Sequence, residues 1–446
     1  MSGSAVVVGG GIGGLVAARR LALGGREVVL LERSPRLGGR VAGGTIAGVT
    51  ADTGAESFAV RGGTVRALLD ELGLSAAVVE PRGSAWVALP DRVVPLPAGG
   101  VLGIPGSPLA PDVRRVLDPG GAMRAYADRL LPVLKVGRYD RLGPLVRGRM
   151  GRRVLDRLVA PVVESVYGVD AETVPVDAIA PQLNRAITTA GSLGAAVLQL
   201  RAAAPAGSAV GGIDGGVARL VEALAAELER LHVDVRTDAE VIGVHPAPRG
   251  PGFTVVTPRE DVRADVVVLA ADGAPALDLL KDAAPEVAAL PRPAAAVSRS
   301  VLLAVDDARL DAMPRGSGVL RAAGRTDVTA TALTHVTAKW PWAAAALPAG
   351  RHLLRLAYRG DAEPDGVRVA ADAAALLGLV PATIVDRLDT VWVDTAPPLA
   401  AETRAAHRAL TATPLPAGLA VTGSWRTGTG LASVVAGAEA AAAALA

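Results

Sequence analysis

The chain contains no cysteine, which excludes disulfide bonds, thiolate metal ligands, cysteine nucleophiles and cysteine-linked cofactors. Its five histidines are scattered without the spacing of metal ligands, so the sequence predicts no zinc or iron site. Lysine is rare as well, and arginine therefore carries almost all of the positive charge. The formal net charge is only +2, which argues against a surface built to bind nucleic acid.

Aromatic residues and long apolar runs are also scarce. Aromatics make up 2% of a chain that is 50% hydrophobic, and no apolar run approaches the ~20 residues of a membrane span. The first residues, MSGSAVVVGG, enter an apolar stretch without a basic segment or a cleavage site. We therefore expect no export signal and a cytoplasmic protein. With 446 residues, the chain is long enough for two or three packed units.

The opening stretch has the pattern of a nucleotide-binding unit. Residues 5–33 read as strand, turn, helix and strand, and the turn carries Gly9, Gly11 and Gly14 in the spacing G-x-G-x-x-G. Such glycines allow the backbone to approach a pyrophosphate at the helix N-terminus. Glu32 ends the second strand, where an acid binds ribose hydroxyls and disfavours a 2′-phosphate. These residues predict a dinucleotide other than NADP, and they leave FAD and NAD open.

The rest of the chain predicts an α/β fold with a discontinuous Rossmann-like nucleotide-binding domain, a mixed-sheet substrate domain and an Arg-rich helical domain. Residues 90–121 are dense in proline and glycine, so we expect a domain crossing there without a long helix. A second glycine turn and amphipathic helix at 211–231 indicate a return to the first domain. The predicted parts are 1–85, 208–275 and 391–446 for the nucleotide-binding domain, 86–207 for the helical domain, and 276–390 for the substrate domain.

Two further motifs favour FAD. ERSPRLGGR at 32–40 places a glycine pair and Arg40 after the ribose acid, where a guanidinium adds charge-assisted bonds to a longer cofactor. Together with GAES at 54–57, it resembles the flavin amine oxidase superfamily. Segments at 54–74, 92–106, 145–183, 211–228, 334–342 and 418–435 resemble the porphyrinogen oxidase branch of that superfamily. They look most like the oxygen-dependent coproporphyrinogen III oxidases of Gram-positive bacteria, particularly actinobacteria.

This resemblance implies non-covalent FAD and a set of cofactor-binding residues. It assigns Gly9, Gly10, Gly11, Ile12, Gly13, Gly14 and Leu15 to the pyrophosphate, Glu32 and Arg33 to the adenosine ribose, and Val241 to the adenine end. It assigns Gly39, Arg40, Gly54, Ala55, Glu56, Ser57 and Trp392 to the flavin side, and Gly423, Thr429, Gly430 and Leu431 to the isoalloxazine. The last of these turns precedes a predicted helix, whose N–H groups favour negative charge on reduced flavin.

The resemblance also implies the reaction. Coproporphyrinogen III loses six electrons in three two-electron steps of haem biosynthesis, with hydride passing to flavin N5 and O2 returning as hydrogen peroxide. Protoporphyrinogen oxidation, oxidation or desaturation of another hydrophobic substrate, and a non-catalytic FAD-binding partner protein are the alternatives. Residues 392–403 keep these open, because the PQY and Gly-His stretch common in porphyrinogen oxidases is absent there. The Arg-rich helices also suit contact with a membrane surface or a haem-synthesis enzyme.

Candidate catalytic residues are fewer. Arg61 directly follows the flavin-side motif and is a candidate partner for a substrate carboxylate, because arginine binds carboxylates bidentately. Lys339 lies in AKWPW, inside a family-like segment, and is a candidate on the flavin side, with a surface lysine beside packed tryptophans as the alternative. Other candidate partners for substrate carboxylates are Arg138, Arg141, Arg147, Arg149, Arg152, Arg153 and Arg157. For any single one of these, a solvated surface is the better interpretation.

Overall fold

The computed structural model describes residues 3–60, 62–132, 140–203, 210–292, 295–395 and 401–445. Its strands are Ser4–Val8 (β1), Glu27–Leu31 (β2), Gly43–Ile46 (β3), Val49–Asp52 (β4), Phe58–Ala59 (β5), Val78–Val79 (β6), Ala85–Ala88 (β7), Val93–Pro95 (β8), Gly100–Val101 (β9), Ile104–Pro105 (β10), Val210–Ile213 (β11), Asp234–Arg236 (β12), Gly243–Pro246 (β13), Phe253–Val256 (β14), Asp261–Ala264 (β15), Val266–Leu269 (β16), Ala295–Asp306 (β17), Gly318–Arg321 (β18), Ala332–His335 (β19), Arg351–Arg359 (β20), Thr383–Thr395 (β21) and Leu419–Val421 (β22).

The helices are Ile12–Leu23 (α1), Thr64–Glu71 (α2), Pro111–Tyr126 (α3), Leu142–Met150 (α4), Arg152–Val154 (α5), Ala160–Tyr167 (α6), Val176–Ile179 (α7), Leu183–Ala190 (α8), Leu193–Ala202 (α9), Arg219–Arg230 (α10), Gly273–Leu279 (α11), Pro285–Ala288 (α12), Val336–Lys339 (α13), Pro341–Ala345 (α14), Gly366–Leu377 (α15), Ala401–Ala412 (α16), Ser424–Thr427 (α17) and Leu431–Ala443 (α18). Within the described ranges, no helix is both long and apolar enough to cross a membrane.

A parallel sheet carries the glycine turn. Its strand order is β12-β2-β1-β16-β22, and every neighbouring pair is parallel. The inner strands β1 and β16 are short Val-rich runs that are buried on both faces, as parallel strands covered by helices usually are. Helices α1, α10 and α18 pack on one face and α11 packs on the other. The sheet thus joins segments from the beginning, middle and end of the chain, as the sequence predicts.

A mixed sheet forms the second layer. Its strand order is β21-β17-β20-β19-β18-β7-β8, and only the β7–β18 pairing is parallel among the described strands. Helix α15 covers one face with a core that includes Leu303, Leu356 and Leu376. Strands β7 and β8 come from the region predicted to be helical, so that region also contributes to this sheet. The predicted domain boundaries themselves remain predictions.

The Arg-rich region contains helices α3 to α9 around one apolar core. Segment α3 agrees with the expectation that 90–121 holds no long helix, because it consists of two short helical stretches on either side of Asp118. Pro111 occupies the first turn, where its missing N–H is not needed. The helix is broken at Asp118, whose φ is +59°, because Pro119 disfavours a helical conformation in the residue before it. The stretches before and after Asp118 are therefore two separate short helices.

Candidate functional site

The glycine turn lies between β1 and α1. The Gly9 N–H donates to the Leu31 carbonyl at 2.8 Å, and the φ of Gly9 is +106°, which glycine adopts readily. A Cβ on Gly14 would lie 1.8 Å from the Gly9 carbonyl oxygen, so only glycine fits there. The side chains of Ile12 and Leu15 are buried in the core below the turn. Only the backbone of this run therefore faces the space above the N-terminus of α1.

Glu32 is held at the carboxyl end of β2 by two backbone groups. The Gly10 N–H donates to its Oε2 at 2.6 Å and the Ser34 N–H donates to its Oε1 at 2.8 Å. Each carboxylate oxygen keeps a lone pair for a hydroxyl donor, so the side chain is oriented for a ribose. Arg33 lines a neighbouring hollow of about 500 Å³ together with Glu240. Val241 follows Glu240 and packs against the core beneath it.

The two motifs 32–40 and 54–57 lie side by side. The Ala55 N–H donates to the Arg40 carbonyl at 2.9 Å, and a Cβ on Gly54 would lie 1.8 Å from that same oxygen. Gly39 has a φ of +57° and, like Arg40, is exposed to the space in front of Gly11. The resemblance assigns both motifs to the flavin side, and the structure places them in contact.

Trp392 packs against the place where these two motifs meet. The Cζ atoms of Arg36 and Arg40 lie 5.4 and 5.3 Å from the centroid of its ring, and the edge of its ring faces Gly54. The indole Nε1 is buried and has no hydrogen-bond partner among the described residues. The departing stretch that follows Trp392 includes 396–400, which lie outside the described residues. Sequence reasoning missed Arg36, although the ERSPRLGGR motif contains it.

The last glycine-rich segment, residues 423–431, follows β22 at the same edge of the parallel sheet as the glycine turn. Gly423 follows β22 with a φ of +127°, and Gly430 is the N-cap of α18, directly before Leu431. Thr429 and Gly430 are exposed, so the N-terminus of α18 is open. Thr422, at the end of β22, is fully buried, and its Oγ1 has no partner within the described chain.

These features fit FAD. Among the buried polar atoms without a partner in the described chain, Thr422 Oγ1 and Trp392 Nε1 belong to residues that lie beside Gly13 and Gly54. The glycine turn lies at the carboxyl ends of parallel strands, where dinucleotides bind in this architecture. The backbone N–H groups at the N-terminus of α1 favour a pyrophosphate. The individual cofactor contacts remain predictions.

An ion-pair cluster joins the flavin-side motif to the mixed sheet. Glu56 Oε1 lies 2.5 Å from Lys339 Nζ, and Glu56 Oε2 lies 3.4 Å from Arg355 Nη1. Burial raises the pKa of the Glu56 carboxyl, but the two cations outweigh burial and hold that pKa below its usual range. Lys339 is therefore neither a free surface lysine nor an unpaired catalytic amine. Nothing in the sequence indicated that Arg355 joins this pair.

Asp52, at the end of β4, lies close to this cluster. Its carboxylate accepts hydrogen bonds from the N–H groups of Val217 and Ala218, which precede α10. Burial raises the pKa of Asp52 to about 6 despite these two hydrogen bonds, and the charge of Glu56 acts in the same direction. Asp52 therefore ties the hairpin that precedes the flavin-side motif to the start of α10.

The arginines of the helical region mostly have structural partners. Arg149 is fully buried and its Nε lies 2.5 Å from Asp128 Oδ1, inside the helical core. The other ion pairs join Arg147 to Glu172, Arg152 to Asp156, and both Arg153 and Arg157 to Asp118. These contacts favour a structural or surface role over substrate binding. Arg61 and Arg138 lie outside the described residues.

Known proteins resemble this chain along its length. The family model described as flavin containing amine oxidoreductase matches residues 12–306. The chain belongs to this family. Coproporphyrinogen III oxidase from Mycobacterium leprae is 33% identical over 457 residues, covering 96% of this chain and 95% of the relative. The enzyme of the same name from Bacillus subtilis is 27% identical and covers 81% of this chain and 78% of the relative.

A solved structure also resembles this chain over its whole length. The putative protoporphyrinogen oxidase from Exiguobacterium sp. 255-15 superposes with a TM-score of 0.82 at 25% identity, covering 99% of this chain and 98% of that one. The predicted resemblance to the porphyrinogen oxidase branch and the α/β fold class are confirmed. The protein is a flavin-dependent oxidoreductase, and its cofactor is FAD.

Proposed function

We propose that the protein is an FAD-dependent oxidase that converts coproporphyrinogen III to coproporphyrin III, with O2 as acceptor and hydrogen peroxide as the reduced product. The observation that carries this proposal is the similarity to the Mycobacterium leprae enzyme, which extends over nearly the full length of both chains. When bound, FAD supplies hydride acceptance from the substrate and electron transfer to O2. The protein's own residues bind and orient the two partners.

The roles of those residues follow from their geometry. The N-terminus of α1 and the glycine turn bind the pyrophosphate, while Glu32 holds the ribose hydroxyls. The Trp392 N–H and the Arg40 guanidinium are donors on the flavin side. The N-terminus of α18 places partial positive charge where reduced flavin carries negative charge. Lys339 acts through Glu56, by fixing the loop 54–57 against the mixed sheet. The proposed contact of Arg61 with a substrate carboxylate stays a prediction.

Anaerobic reduction tests this function directly. Purified protein should be yellow, and coproporphyrinogen III prepared without oxygen should bleach its visible flavin absorbance. Admitting air should regenerate oxidised flavin together with peroxide and fluorescent coproporphyrin. Bound flavin that no porphyrinogen reduces would contradict the proposal and favour the non-catalytic partner.

Protoporphyrinogen IX is the second candidate substrate, because the putative protoporphyrinogen oxidase has nearly the same fold over the whole chain. The ratio of flavin reduction rates with the two porphyrinogens decides between them. A faster reduction by protoporphyrinogen IX would overturn the assignment to coproporphyrinogen III. Reduction by an amine or a polyene, with no reaction from either tetrapyrrole, would identify a diverged oxidase.

A further inference from the structure

One face of the mixed sheet carries polar residues in the middle of an otherwise apolar layer. Ser298 of β17 pairs with Arg359 of β20 on one side and with Trp392 of β21 on the other. Cross-strand partners share a face, so these three side chains form a row. Ser300 lies on the same face two residues along β17, opposite Ala357. We call this the polar face.

The polar face is only partly covered. On the opposite face, Val301, Leu356 and Tyr358 are at most 2% exposed beneath α15. On the polar face, Ser298 and Ala357 are half-buried and Arg359 is exposed. Two apolar clusters flank this stretch, one around Trp340 and the other in the helical region. We call the less buried part of the polar face, around Ser298, Ala357 and Arg359, the open stretch.

Two polar side chains at this place, the buried Ser300 and the exposed Arg359, make no hydrogen bond or ion pair with any described residue. Ser300 is 4% exposed, yet its Oγ makes no hydrogen bond with any described residue. The Arg359 guanidinium reaches toward the end of α6, where its Nη2 lies 3.8 Å from the position of a Cβ on Gly168. No carboxylate among the described residues lies within ion-pair distance of it, and Glu164 of α6 is its nearest acid. Neighbouring atoms lower the pKa of Arg359 through partial burial of its guanidinium, while the charge of Glu164 raises it.

The open stretch adjoins the cofactor side. The Arg40 Nη2 donates to Ser298 Oγ at 3.3 Å, and the Arg40 guanidinium packs over Trp392. Arg359 is one strand beyond Ser298, which is about 5 Å away in the plane of the sheet. An anion held by Arg359 would therefore place an attached ring system over Ser298, beside the proposed flavin position.

We propose that Arg359 and Ser300 form a subsite for a carboxylate of the substrate. Under the proposed function, on which this inference rests, that group is a propionate of the porphyrinogen. The guanidinium offers the planar pair of donors that a carboxylate accepts bidentately, and the Ser300 hydroxyl donates one further hydrogen bond. The subsite fixes which edge of the macrocycle faces the helices, and thereby which ring carbon meets the flavin.

Product binding tests the subsite without turnover. We expect Arg359→Gln to weaken the binding of coproporphyrin III, followed by its fluorescence, about 10- to 100-fold, because a charge-assisted hydrogen bond is lost. Arg359→Lys should lose less, since it keeps the charge but not the paired donors. The tetramethyl ester of coproporphyrin should bind wild type and Arg359→Gln equally. Flavin content and visible spectrum should not change in either variant.

Two further variants separate this role from a structural one. Arg351→Gln is the matched control, because Arg351 lies on the same strand and face but is paired with Asp306 at the far end. It should leave coproporphyrin binding unchanged. Glu164→Gln should tighten binding, since it removes the acid that competes for Arg359. If Arg359 served only to neutralise Glu164, Glu164→Gln would instead leave binding unchanged or weaken it, which overturns the subsite.

The outcomes also distinguish this inference from the proposed function. Wild type that binds coproporphyrin while Arg359→Gln binds it equally well would overturn the subsite alone. Wild type that binds neither coproporphyrin nor its ester would overturn the tetrapyrrole assignment, and the propionate subsite with it. Equal losses in Arg359→Gln and Arg351→Gln would show a general charge effect and contradict a specific site.

Discussion

At the residue scale, the contacts of a single added Cβ determine which positions of the glycine turn must be glycine. Gly13 and Gly14 are neighbours in the first turn of α1, yet an added Cβ would meet different surroundings. On Gly14 it would lie 1.8 Å from a backbone oxygen, whereas on Gly13 it would lie 3.5 Å from Val434, an ordinary contact. We expect Gly14→Ala to cost about 3 kcal/mol of stability and to abolish flavin retention. Gly13→Ala should keep its flavin. The ratio of flavin to protein absorbance after purification measures both, and equal retention in the two variants would contradict the steric argument.

The Glu56–Lys339 contact gives a second prediction. Both side chains are largely buried, at 16% and 17% exposed, so removing either charge leaves the other poorly compensated. We expect Lys339→Met and Glu56→Gln each to lower the free energy of unfolding by about 1–3 kcal/mol. The double variant should cost less than the sum of the two. Lys339→Arg should recover most of the loss. Additive losses in a denaturant-based double-mutant cycle would show that the two side chains are not coupled.

Sequence reasoning identified the residues of the cofactor turn because their chemistry is local. Gly9, Gly14 and Glu32 lie within one βαβ unit, so their spacing alone predicts that they meet. Glu56 and Arg355 are far apart in the chain and meet only through the register of the mixed sheet. No spacing rule predicts such a contact, and none predicts that Ser300 and Arg359 share a face.

At the scale of elements, Asp52 links the β3–β4 hairpin to α10 in a pH-dependent way. Its pKa of about 6 in the folded protein lies above its ordinary value of 3.8. The folded state therefore favours the protonated carboxyl, and this contribution is complete below about pH 4 and lost as the pH rises through 6. The Asp52→Asn variant lacks the carboxyl that titrates at this position. Relative to wild type, the variant should gain about 2 kcal/mol between pH 4 and pH 7. Urea unfolding at the two pH values measures this, and a constant difference would contradict the raised pKa.

Two arginines of the helical region should differ strongly in how much they contribute to stability. Arg149 is 2% exposed and bonded to Asp128, which also accepts from the Gly194 N–H at 2.9 Å and so joins α4 to α9. Removing this guanidinium leaves a buried carboxylate unpaired, so Arg149→Met should cost about 3–5 kcal/mol. Arg152 is 82% exposed and pairs with Asp156 one turn along, so Arg152→Gln should change stability by about 0.5 kcal/mol or less. Similar midpoints in guanidinium unfolding for the two variants would be inconsistent with this assignment.

Elements were predictable where a local pattern determines them. The strands β1, β2 and β16 and the helices α1 and α18 follow from apolar runs, glycine turns and helical spacing. The absence of a long helix in 90–121 was predictable from its prolines and glycines. Pro111 starts the first short helix of α3, and Pro119 follows the break at Asp118. The pairing of β7 with β18 is a long-range contact, which the sequence of neither strand encodes.

At the scale of the whole molecule, the cofactor crevice is built from segments that are distant in the chain. The parallel sheet beneath it takes β1 and β2 from the beginning of the chain, β16 from the middle and β22 from the end. Helix α1 packs on α18, so the first and last helices share one core. A ligand in this crevice contacts parts of the chain that separate completely on unfolding. Its binding energy must therefore appear in the global stability rather than in one local region.

FAD should accordingly act as a stabiliser of the entire fold. After removal of flavin by mild denaturation and refolding, FAD at about 100 times its Kd should raise the free energy of unfolding by about 2.7 kcal/mol. Riboflavin lacks the pyrophosphate and adenosine that the N-terminus of α1 and Glu32 are placed to bind, so it should stabilise much less. Thermal unfolding of the stripped protein with each ligand checks this. The Gly14→Ala protein is the negative control for FAD. Equal stabilisation by riboflavin and FAD would place the binding energy at the flavin ring and contradict the dinucleotide crevice.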